Sequence, residues 1–241
     1  MLKRLACAAA LLMTPGAATE SSDFVAANIL GIFYHELGHA IIHTEGVPIF
    51  GQEEDAADVF SIFLVDALFE EEDAQSLALD MAEGFAGEAM IRDAETGEIA
   101  WWDTHGPDEQ RFYTIACILY GADPDARKDF ASAVDLPEER AESCAGEYDQ
   151  AAASWGAVLE EMSDTDTRPP LVFEGRADHA ASTILAREVR HLDREIRLSK
   201  RVVVAVEECG EPNAFYDPEA LRIVFCTEFV GHLQRIEALL E

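Results

Sequence analysis

Apolar residues gather along this chain in blocks of helical length, each closed by a turn former. The first block, FVAANILGIFYHELGHAIIH, is followed by Gly46 and Pro48, which predicts a helix over 23–46. After the short loop VPIFGQ, a second helix is predicted over 53–70, with acids in its first turn where the helix macrodipole favours them. A third, 72–91, is amphipathic, whereas 93–108 is polar and irregular apart from Trp101 and Trp102. Helices follow over 108–121, within DPDARKDFASAV and within LPEERAESCAGEYDQAAASWGAVLEEM. Residues 163–170 (SDTDTRPP) then read as a linker before a helix at 178–197. The pattern next changes to extended runs: RVVVAVEE (201–208) and LRIVFC (221–226) read as the two strands of a hairpin. Pro212-Asn213 and Asp217-Pro218 form the turn between them, and a helix at 227–240 closes the chain. The expected fold class is α+β, mainly helical, with a small antiparallel sheet or hairpin.

Residues 1–18 have a different organisation. Lys3 and Arg4 precede an apolar run from Leu5 to Met13 and the small residues Gly16-Ala17-Ala18, the order that signal processing requires. Cleavage after Ala18 leaves 19–241 as a single domain, in which helices 23–70, a helical middle 72–162 and a C-terminal helix plus hairpin 171–241 follow one another. No later stretch reads as long enough to span a bilayer. The expected location is therefore outside the cytoplasm, periplasmic or secreted. Export changes the cysteine arithmetic, because removal of Cys7 leaves Cys117, Cys144, Cys209 and Cys226 in an oxidising compartment. Of the three pairings, the local one is expected: Cys209–Cys226 stapling the hairpin, Cys117–Cys144 tying two helices.

Composition narrows the partners. The 241 residues carry 17 Lys+Arg against 48 Asp+Glu, a formal net charge of −31. An apolar fraction of 49% with 13 Phe is too rich for a disordered acidic chain, so the charge lies on a folded surface. Nucleic acid and anionic membranes would be repelled, while cationic peptides and metal ions are attracted.

The sharpest chemical feature is His35-Glu36-Leu37-Gly38-His39. Residues i and i+4 of a helix lie one above the other, about 6 Å apart along the axis, so two imidazoles converge on one metal ion with Glu36 beside them as a base. Fifteen residues after His39 comes Glu54, with Asp58 at i+4. These place two carboxylates on one face of the next helix: Glu54 as third ligand, and Asp58 as acceptor of the second N–H of a ligand histidine. The rotation of that helix is not set by sequence, so Glu53 and Asp55 stand as alternatives to Glu54. His43, about 12 Å from His35 along the axis, cannot share the same ion.

HELGHA, GQEEDAADVF, DEQRFYTIACILYGADP and CGEPNAFYDPEALRIVFC together resemble the metallopeptidase-like family DUF4344, with the zincin-like HExxH…ExxxD arrangement of gluzincins. The resemblance covers most of the mature chain. It implies zinc held by His35, His39 and Glu54, with Glu36 as general base, and no particular substrate. In that family the NAFYDP segment precedes the HExxH helix. Here it follows, a circularly permuted order in which the helix ending at Glu241 leads spatially toward the one beginning near Asp23.

The implied activity is hydrolysis of peptide bonds in a peptide or protein, with His105, Arg111, Tyr113 and Tyr216 as candidate donors to the transition-state oxyanion. The LRIVFC or VVVAVE strand offers an edge for an extended peptide. Trp101 and Trp102 are read as packing residues. Two other readings compete: a non-catalytic exported binding or assembly protein on the same scaffold, and a helical bundle in which HELGH is coincidental.

Overall fold

A computed structural model describes residues 21–163, 166–176 and 178–241, so the expected signal segment 1–18 lies outside the described residues. The elements are α1 (Asp23–Glu45), α2 (Glu53–Leu68), α3 (Glu71–Glu95), α4 (Asp108–Ala122), α5 (Lys128–Ala133), α6 (Glu138–Met162), β1 (Val172–Gly175), α7 (Ala180–Glu195), β2 (Val203–Glu207), β3 (Ala214–Asp217), β4 (Arg222–Cys226) and α8 (Glu228–Leu240). The mainly helical α+β class is as expected, and most boundaries fall within a few residues of the expected ones.

Helix α1 is the axis of the fold. Its start is capped by Ser22 Oγ, which accepts the Val25 N–H at 3.3 Å. Its end is set by Gly46, whose φ of +69° lets its N–H turn back to Ile42 O. By length and composition α1 could cross a membrane, which corrects the expectation that no stretch after the leader could; 83% of its apolar window is instead buried inside the fold. Helices α2, α3, α7 and α8 and strands β3 and β4 pack around it. That coverage is what a helix apolar on nearly every face requires.

The sheet has the order β1-β2-β4-β3. The expected hairpin of 201–208 with 221–226 is corrected: β2 and β4 pair in parallel, with Val204 opposite Ile223, and only β3 with β4 is antiparallel. The physical reason is that the segment between the turn formers at 212–213 and 217–218 is itself a strand, AFYD. It folds back along the far side of β4, so β4 runs in the direction of β2. Both central strands are nearly continuous apolar runs, the signature of strands covered on both faces. They are interior, so neither offers the free edge expected of them; β1 and β3 are the edges.

Two disulfides join the expected partners. Cys117–Cys144 ties α4 to α6, and Cys209–Cys226 ties the loop after β2 to the end of β4, with Cα–Cα distances of 5.0 and 5.4 Å. Such bridges are typical of an oxidising, extracellular compartment. Elsewhere buried charge is answered by partners. Arg127, 3% exposed, gives Nη1–H to Leu119 O at 2.6 Å and Nη2–H to Asp66 at 2.6 Å and Glu71 at 2.8 Å, locking the α2–α3 corner under α4.

Helix α8 returns to the start of α1, and Asp80 of α3 feels the carboxylates of both Asp23 and Glu237. Burial, then Glu83, Asp23 and Glu237, push the Asp80 carboxyl up to about 6. A raised folded-state pKa makes the ionised form costly: stability is fully present below the unfolded pKa, about 4, and is lost as pH rises through about 6. Asp80→Asn should therefore raise the melting temperature at pH 8 and leave it nearly unchanged at pH 4. Equal shifts at both values, measured by calorimetry, would contradict this.

Candidate metal centre

The site forms where α1 and α2 cross. Their close approach depends on Gly38, where a Cβ would stand only 3.2 Å from both the Ala57 Cα and the Phe60 ring. With α2 this near, Glu54 and Asp58, one turn apart, reach opposite nitrogens of the same imidazole. Asp58 Oδ1 accepts from His35 Nδ1 at 2.7 Å, and Glu54 Oε2 lies 3.1 Å from His35 Nε2. His39 is held in the same manner, with Nδ1 on Glu53 Oε1 at 2.8 Å and Nε2 3.2 Å from Glu54 Oε2. The two Nε2 atoms are 3.1 Å apart.

The donor chemistry of this triangle is informative. An imidazole that donates its Nδ1–H to a carboxylate is fixed as the tautomer whose Nε2 carries a lone pair. As neutral imidazoles both histidines therefore turn lone pairs toward a carboxylate oxygen, and three acceptors face one point. Neutral hydrogen bonding cannot satisfy that arrangement; a cation can. The edges of 3.1, 3.1 and 3.2 Å are close to the separation of about 3.3 Å between donors that lie 2.0–2.1 Å from a tetrahedral zinc ion. Two imidazoles and a carboxylate are also a donor set that zinc accepts.

The surrounding electrostatics follow. A proton on His35 is one positive charge that fits this place: burial works against a charged His35, yet its bonds to Asp58 and Glu54 prevail and hold its pKa up to about 9. Burial likewise opposes ionisation of Glu54, but His105, His35 and His39 hold its carboxyl far below the usual range. Asp58, against its burial, is drawn down to about 2 by His35 and Arg111. Arg111 gives Nε–H to Asp58 Oδ2 at 2.8 Å and Nη2–H to Oδ1 at 2.6 Å, a two-pronged clamp, and its guanidinium lies 4.3 Å from the centre of the Phe85 ring.

A family described as "Putative metallopeptidase", DUF4344, matches residues 9–159 and 177–239, most of the chain. The chain belongs to this family. No curated protein and no solved structure matches it. A metal is what that description implies for a DUF4344 member, and the converging His/His/Glu donors supply a place for one.

In this DUF4344 chain the structure brings together His35, His39, Glu54 and Asp58, with Glu36 beside them. Glu36 is 8% exposed, and the main chain at Tyr216 lies close enough to favour its charged form. Burial raises its pKa, and His35 and His39 pull the other way. Strand β3 thus docks beside the site. Tyr216 Oη is occupied by His43 Nδ1 at 2.8 Å, so His43 supports the strand from one turn beyond His39. His105, on the irregular segment before α4, sets Nε2 3.0 Å from Glu54 Oε2, and its donor atom lies within 4.8 Å of those of His35 and Glu54. Its ring stacks on His35.

Other expectations separate. Arg111 is committed to Asp58, and Tyr113 packs edge-on against Phe112. Trp101 and Trp102, read as packing residues, are 78% and 85% exposed on the segment that carries His105. Sequence reasoning missed the hold of Glu53 on His39 and the clamp of Arg111 on Asp58. Its only signals were the acid adjoining Glu54 and an arginine in a very acidic chain.

Removing Asp58 would leave Arg111, only 17% exposed, without its counter-charge, a loss that typically costs about 3–5 kcal/mol for a buried pair. Asp58→Ala is expected to lower unfolding free energy by that order in urea, and the Asp58→Ala/Arg111→Met double variant to recover most of it. A loss under about 1 kcal/mol in the single variant would show that the clamp carries little.

Proposed function

We propose that this protein is an exported zinc-dependent peptidase in which His35, His39 and Glu54 hold the ion and Glu36 is the general base. The observation that carries the reading is the convergence of three lone pairs next to a buried carboxylate that belongs to none of them. When bound, zinc supplies Lewis acidity, bringing a coordinated water to a pKa of about 7 and polarising a carbonyl.

The chain's own groups supply the proton movements. A water attacking the scissile carbonyl gives a proton to a Glu36 carboxylate oxygen, and Glu36 then delivers it to the leaving amine nitrogen as the C–N bond breaks. Burial suits Glu36 to this role, because it makes the carboxylate a stronger base than an exposed one. The nearby main chain of Tyr216 favours the charged form of that carboxylate. Among the four candidate oxyanion donors, His105 is the one set within the donor cluster, with its Nδ1 3.4 Å from Asp103 Oδ1. The free edge of β3 beside Glu36 suits main-chain pairing with an extended peptide, and the acidic surface attracts cationic segments of it.

Purified protein should bind about one zinc ion. Glu36→Gln should keep the ion while hydrolysis of peptides falls below detection. Full activity in that variant would remove Glu36 from its role, and a metal-loaded wild type inert toward diverse peptides would favour a binding protein on this scaffold. His105→Ala should lower kcat by about a hundredfold at unchanged zinc content. Loss of zinc from His105→Ala would make His105 a ligand instead.

A further inference from the structure

Beside the donor cluster lies a cavity of about 260 Å³, lined by His35 and Glu36 and by residues of α1, α3 and α8. It is smaller than the roughly 300–1,000 Å³ that takes a whole drug-sized ligand, and many times the roughly 30 Å³ of one water. That size suits one large side chain of a longer molecule. The wall carboxylates other than Glu36 are already answered: Asp58 by Arg111, Glu88 by His232 at 2.7 Å, Asp108 by Arg92 at 3.1 Å. Apart from Glu36 and polar groups such as Asn28 and Ser61, what remains to meet an occupant is carbon and sulfur from Ile32, Met81, Phe85, Phe229, Leu233 and Ile236. A charged side chain there would lose its hydration against a mainly apolar lining, whereas an apolar one gains about 25 cal/mol for each Å² removed from water.

We infer that this cavity receives a large uncharged side chain, leucine, methionine or phenylalanine, of the residue adjoining the scissile bond. The inference rests on the peptidase reading and adds a substrate class to it. Position supports it as much as lining does. Pro212, Asn213 and Ala214, which lead into β3, form part of the rim, so a peptide paired along that edge would point alternate side chains at the opening.

One residue sets the width. Gly31 of α1 faces Met81, and a Cβ there would come within 2.7 Å of Met81 Cε, 2.9 Å of Cγ and 3.1 Å of Sδ. Gly31→Ala therefore displaces a flexible side chain into the cavity while favouring the helix.

The test uses zinc-loaded full-length Glu36→Gln protein and blocked peptides that differ at one position, with binding read by fluorescence anisotropy and hydrolysis read separately on the wild type. Leu, Met and Phe peptides should bind at least tenfold more tightly than Ala, and Asp and Lys more weakly still. Adding Gly31→Ala should shrink the advantage of Phe over Ala to under threefold, with zinc content and circular dichroism unchanged, and adding Met81→Ala as well should restore it. An unaltered ratio in the Gly31→Ala protein, tightest binding by Lys or Asp, or no binding by any peptide would overturn the inference. Hydrolysis without side-chain preference would sink the pocket and leave the peptidase reading. Selective binding without wild-type hydrolysis would do the reverse.

Discussion

Two imidazoles and a carboxylate turned toward one another, all offering lone pairs, form an arrangement that repels itself unless something positive sits between them. Asp58 and Glu53 impose it by taking the Nδ1–H of His35 and of His39, which leaves each Nε2 as an acceptor facing Glu54. A folded protein does not hold such a cluster without cause, since unpaired buried polar groups are costly. The fold's other features around the site are means of holding it.

The means are distributed over the whole molecule. Gly38 lets α2 approach α1 closely enough for Glu54 and Asp58 to reach the histidines. Arg111, from α4, cancels the charge of Asp58 and so fixes the orientation of the carboxylate that fixes His35. Strand β3, from the far end of the chain, brings the main chain of Tyr216 close to Glu36 and the Tyr216 hydroxyl to His43. The sheet matters to the site chiefly by delivering that strand, and the Cys209–Cys226 bridge ties the loops and strand ends that frame it.

Much of this was legible in the sequence because the relevant signals are local. Helix ends are written in Gly46, in Pro48 and in acidic first turns, and the i, i+4 spacings of His35 with His39 and Glu54 with Asp58 put their side chains on shared faces whatever surrounds them. The disulfide partners were legible for the same reason, since one pair brackets a local strand segment. What escaped was non-local. AFYD, four residues between turn formers, reads as part of a turn, and only pairing with β4 makes it a strand, which in turn makes β2 and β4 parallel. Arg111 reads as a candidate oxyanion donor, and the carboxylate that takes it instead is 53 residues away. The exposed Trp101 and Trp102 defied a reading from residue type alone, because side-chain hydrophobicity does not say whether a neighbour exists to cover it.

The most direct test of the account is a crystal structure of the zinc-loaded protein with anomalous data collected on both sides of the zinc absorption edge. The account requires one peak about 2.0–2.2 Å from His35 Nε2, His39 Nε2 and Glu54 Oε2 together, with Asp58 still on His35 Nδ1. A peak held elsewhere, or one whose ligands omit His39 or Glu54, would contradict it.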